Sequence, residues 1–105
     1  MTKLLKVTWN NDDITGSGNS FTKDDVTITA GSIDFGEKNF ENGTFTTTLG
    51  NFTKIEVTTS MCYASGSGWS GSTWTGNASS VPFSGPIIGM GMGNTKFVFT
   101  IEPTN

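Results

Sequence analysis

The sequence predicts an all-β protein, a two-sheet β-sandwich of about seven antiparallel strands, jelly-roll or immunoglobulin-like, with little or no helix. Three observations carry that expectation. Apolar and polar residues alternate at period 2 along most of the chain, the repeat of a strand with one buried face. No stretch sustains the 3.6-residue period of an amphipathic helix. The polar share comes from Thr, Ser, Asn and Gly, of which Thr favours strands and the others tight turns. At 105 residues the chain is the size of a single domain, spanning 1–105, with room for one modest core between two layers.

The elements follow in order. Leu5, Val7 and Trp9 alternate with Lys6 and Thr8 until Asn10–Asp13 breaks the run, which places Trp9 in the core. Val26, Ile28 and Ala30 alternate with threonines between Asp24–Asp25 and Gly31. Ile33 and Phe35 form a short third strand, or extend the second beyond a bend at Gly31. Residues 36–42 hold at most one short turn. Phe45, Thr47 and Leu49 share a face up to Gly50–Asn51, which reads as a hairpin turn because both residues tolerate positive φ. Ile55 and Val57 point inward from the strand that follows. Val81 and Phe83 form another strand. Lys96–Glu102 is the last, with Phe97, Phe99 and Ile101 on one face; Val98 interrupts its polar face, so this strand belongs in the middle of a sheet. A closed barrel is the alternative architecture. The Gly/Ser-rich stretches Ala64–Ala78 and Gly85–Gly93 read as long loops or irregular edge strands.

Charge and cysteine narrow the function. Charged residues make up 14 % of the chain, the net charge is −3, and six scattered lysines stand without a single arginine. Phosphate recognition needs clustered basic residues, so nucleic acid is excluded as partner, and docking on an anionic membrane is disfavoured. No run approaches the ~20 apolar residues of a membrane span. The lone Cys62 cannot form an internal disulfide and reads as a small buried hydrophobe. A monomer is the expected state.

Residues 51–103 carry a resemblance. The order is Asn51-Phe-Thr-Lys-Ile-Glu-Val57, then Gly66-Ser-Gly-Trp-Ser70, then Trp74-Thr-Gly-Asn-Ala-Ser-Ser-Val-Pro-Phe83, closing on Lys96-Phe-Val-Phe-Thr-Ile-Glu-Pro103. It resembles a small β-sandwich domain of secreted and surface proteins of gut bacteria, found beside bacterial immunoglobulin-like domains. The first half matches only in Phe21-Thr-Lys-Asp-Asp-Val26. The resemblance implies an extracellular or cell-surface location and neighbouring domains of a larger protein, so that the chain reads as an excised piece. It brings no catalytic residues with it.

The residues themselves offer little catalytic chemistry. Without histidine there is no Ser-His-Asp or Cys-His arrangement, and a zinc site would need several carboxylates. Asp34, Glu37, Glu41 and Glu56 are the carboxylates available for a glycosidase pair, and each reads first as a solvated charge. Asn11-Asp12-Asp13 and Asp24-Asp25 are oxygen-rich but lack the alternating order of a calcium loop, so turn formation explains them as well. No metal and no cofactor is assigned. Gly66–Gly68 and Gly89–Gly93 lack the strand–loop–helix context of a phosphate-binding motif. Met90 and Met92 read as core filling, with an exposed patch as the alternative.

The chain is therefore expected to be a non-catalytic structural or protein-interaction module. That reading predicts Tyr63, Trp69 and Trp74 all buried, and chain ends at opposite ends of the domain. The alternative is a carbohydrate-binding or adhesion module that uses Tyr63, Trp69 and Trp74 as an aromatic platform for glycan, with Asn77 as a hydrogen-bonding partner. It predicts at least two rings more than half exposed on one face. Between the two, Trp74 is expected in the core.

Overall fold

The computed structural model of the chain describes residues 3–104. Ten strands occur among them: β1 (Leu5–Asn10), β2 (Ser20–Lys23), β3 (Val26–Asp34), β4 (Asn39–Thr47), β5 (Gly50–Thr58), β6 (Met61–Cys62), β7 (Trp69–Ser70), β8 (Thr73–Ala78), β9 (Ser80–Ile88) and β10 (Lys96–Pro103). The described residues contain no α-helix, only a 3₁₀ turn at Asn11–Asp13. Five strands in the order β1-β10-β5-β8-β7 form sheet A, and five in the order β2-β3-β4-β9-β6 form sheet B. Every pairing is antiparallel. The expected β-sandwich is present.

Period-2 alternation explains which faces meet. Phe97, Phe99 and Ile101 of β10 are fully buried, and the rings of Phe97 and Phe99 lie 5.8 and 5.5 Å from that of Phe45 across the sandwich. Trp9 is also fully buried, edge-on to Phe21 and Phe99, and its indole N–H donates to the Lys23 carbonyl at 3.2 Å. That bond ties β1 of one sheet to β2 of the other. As Val98 implied, β10 is interior, flanked by β1 and β5.

Three expectations need correction. Gly50–Asn51 is not a hairpin turn, because β4 lies in sheet B and β5 in sheet A; the chain crosses between them at Thr48–Leu49. Glycine is required at 50 for a different reason: a Cβ there would collide with the Glu102 carbonyl of β10. Second, the Gly/Ser-rich stretch, which reads as a loop or an irregular edge strand, contains β8 inside sheet A between β5 and β7; Trp74 is its only buried side chain and it shows no alternation. Third, the segment from Gly85 to Ile88, which reads as a loop or an irregular edge strand, is the end of β9 and lies between β4 and β6.

The register of β1 on β10 pairs Leu5 with Ile101 and Asn10 with Lys96. The chain therefore enters and leaves the sandwich at the same end. The tandem-spacer geometry, with ends at opposite poles, is absent.

Candidate functional site

A groove of about 300 Å³ opens on the outer face of sheet B, where β3, β4 and β9 run past the end of their regular alternation. Cross-strand partners share a face, so the register builds it row by row. Ser32 pairs with Glu41 and Glu41 with Pro86; two residues further on, Asp34 pairs with Asn39 and Asn39 with Ile88. The next strand out adds its own pair, since Met61 of β6 lies opposite Ile88 and the Tyr63 amide donates to the Pro86 carbonyl at 2.8 Å. Polar side chains thus occupy one half of the face and apolar ones the other.

A local irregularity creates this surface. β9 carries an extra residue against β4 between Glu41 and Gly43, a bulge at Ser84–Gly85 opposite Asn42. Asn42 holds φ +52° and its side-chain oxygen accepts from the Gly85 amide at 2.8 Å. Gly85 has φ +89°, and a Cβ on it would lie 2.5 Å from the Tyr63 carbonyl. Only glycine lets β6 come this close, and β6 in turn sets Tyr63 beside the groove.

The polar half is firmly held. One Asp34 carboxylate oxygen accepts from the Glu37 amide at 2.9 Å, in the turn that joins β3 to β4. The Asn39 side-chain oxygen accepts from the amides of Gly89 and Met90 at 3.0 and 3.2 Å. Lys38 sits in the same turn with φ +62°, but its ammonium donates to the Phe35 carbonyl at 2.6 Å and the residue is nearly buried. The two ion pairs among the described residues, Lys23–Asp24 and Lys54–Glu56, lie on other strands. Asp34 and Glu41 are thus exposed carboxylates without a cationic partner among the described residues.

Comparison with protein-family models, with curated proteins and with solved structures found no match. The groove is therefore read from its own side chains.

The four residues expected to bind a ligand are scattered. Trp74 is 5 % exposed and donates its indole N–H to the Ser67 carbonyl at 3.0 Å. It belongs to the core and presents no face to a ligand, which removes it from the platform. Gly68 and Gly76 make room for it: a Cβ on either would strike the indole, at 2.6 Å in the case of Gly76. Seating this ring is the structural task of those two glycines. Trp69 is partly buried against Phe45 and Phe83, with its N–H donated to the Pro82 carbonyl at 3.0 Å. Asn77 is exposed, and its side-chain oxygen accepts from Asn51 at 2.7 Å across β5 and β8 of sheet A. Tyr63, on the sheet B edge, is 58 % exposed and its hydroxyl donates to the Met61 sulfur at 3.4 Å. Neither test set by the sequence is met, since one ring is more than half exposed and only Trp74 is buried.

Of the four carboxylates considered for acid–base chemistry, the groove unites Asp34 and Glu41, while Glu56 lies on sheet A. Both groove carboxylates are exposed on the outer face of the sheet. The oxygen-rich segments have structural tasks: Asp13 accepts from the Asn10 amide at 2.7 Å, and Asp24–Asp25, both at positive φ, form the two-residue β2–β3 turn. Among the described residues no group of three or more His, Cys, Asp or Glu is placed to hold a metal ion. Met90 and Met92 are 50 % and 69 % exposed, which corrects their assignment to the core. Sequence reasoning missed Ser32, Asn39, Pro86 and Ile88, because only the β3–β4–β9 register brings them together.

Proposed function

We propose that the chain is a non-catalytic protein-interaction module of an extracellular or cell-surface bacterial protein, and that it engages its partner through the outer face of sheet B. The observation that carries this reading is the mixed strip across four strands. Exposed Met61 and Tyr63, with Ile88 and Pro86, adjoin the carboxylates of Asp34 and Glu41. An apolar patch rimmed by charge is the composition of an interaction site. The location rests on the resemblance of residues 51–103. With both ends on one side, the module hangs from its neighbours and leaves the groove face open, rather than standing between them as a spacer. Carbohydrate recognition is the second reading, favoured by the exposed Tyr63 ring beside carboxylates and an amide.

The test is a selection of displayed random peptides and a glycan array, each run on the wild-type chain and on a Tyr63→Ser/Glu41→Lys variant. Peptides captured by the wild type and lost by the variant support the proposal. Glycans behaving that way transfer the face to the carbohydrate reading. Binders retained equally by both proteins overturn the face as the site.

A further inference from the structure

Resting on that reading, we infer that the groove is a receptor for an arginine side chain of the partner protein. Its free polar atoms are dominated by acceptors. Asp34 keeps one carboxylate oxygen beyond the bond to the Glu37 amide, and no hydrogen bond or ion pair among the described residues engages the Glu41 side chain. The Asn39 oxygen is already spent on two backbone amides, which leaves its NH₂ and the Ser32 hydroxyl as the donors facing the groove. A bound group must therefore bring donors and positive charge.

Geometry selects among cations. Asp34 and Glu41 lie on adjacent strands, one register step apart on the diagonal, a separation of about 7–8 Å between such positions. A planar guanidinium presents donors on more than one edge and can bridge two carboxylates, whereas an ammonium is a point charge. Pro86 and Ile88 supply an apolar bed for the methylene stem, and the exposed Tyr63, directly after β6 and bonded through its amide to the Pro86 carbonyl, stands at the rim where its ring could flank a cation. Saccharide hydroxyls could also donate to these acceptors, but a neutral sugar brings no charge to balance the two carboxylates. Lys38 offers no competing charge inside the groove, because its ammonium is turned onto the Phe35 carbonyl.

The experiment is an amide-resolved NMR titration of the full chain with three blocked peptides, Ac-Leu-Xaa-Leu-Ala-NH₂, in which Xaa is arginine, lysine or citrulline. The arginine peptide is expected to move the amides of residues 32–34, 39–41, 63 and 86–88. It should bind at least about tenfold more tightly than its uncharged citrulline isostere, and more tightly than the lysine peptide. Asp34→Asn and Glu41→Gln, exposed and conservative changes, should each weaken arginine binding severalfold while leaving the rest of the spectrum in place. Binding should also weaken as salt rises. Equal binding of arginine and citrulline overturns the inference, as does a response away from the groove or none at all. If groove-dependent peptides without arginine emerge from the selection above, the arginine assignment fails while the interaction face stands. If no binder depends on the groove, both fail.

Discussion

Two aromatic residues of similar sequence context have opposite roles. Trp74 and Tyr63 both border the Gly/Ser-rich stretch, yet one closes the core and the other faces water. Trp74→Ala should cost about 3–5 kcal/mol in urea denaturation, because it removes a packed indole that Gly68 and Gly76 are shaped around. Tyr63→Ser should stay within about 0.5 kcal/mol of wild type and still abolish partner binding. Cys62 adds a pH dependence. Burial pushes its thiol above the ordinary value, partly opposed by the Ala64 backbone hydrogen bond. The folded chain thus holds this proton more tightly than the unfolded one. The contribution is complete below the ordinary value of an unfolded thiol and is lost as pH rises through the higher folded value. Denaturation of wild type and Cys62→Ala between neutral and strongly alkaline pH should therefore show a decline in the wild type that the variant lacks.

At the scale of elements, legibility followed alternation. β1, β3 and β10 could be read because each presents a clean apolar face. β8 could not, since a single tryptophan is its whole buried face, and β6 and β7 are too short to show a period. The groove was invisible for a related reason. Ser32, Asp34, Asn39, Glu41, Pro86 and Ile88 come from three strands, and their meeting depends on strand order and on a bulge, neither encoded in local pattern. Tyr63 stands in a loop-like context along the chain, whereas its spatial neighbours come from across the sheet. Gly85 is the hinge of the arrangement. Gly85→Ala should destabilise by more than about 1 kcal/mol, since it forces a β-carbon onto a positive φ and against the Tyr63 carbonyl. It should also weaken arginine-peptide binding, so denaturation and titration should change together, unlike in Tyr63→Ser.

For the whole molecule, the two sheets share one aromatic-rich core and divide their tasks. Sheet A seats Trp74 and pairs the first described strand with the last; sheet B carries the exposed mixed face. Short edge strands at β6 and β7 limit the open backbone available for pairing with another chain. The side-by-side arrangement of β1 and β10 also governs how the protein answers to mechanical load. Tension applied between the two ends would act across the β1–β10 ladder and break its hydrogen bonds one at a time, starting with Leu5 and Ile101, as a zip is opened. A sandwich held at opposite poles would load the whole ladder in parallel and resist far more. A domain linked through both ends lies in series with whatever it is joined to, so the same tension passes through it and the β1–β10 ladder is where this sandwich yields first.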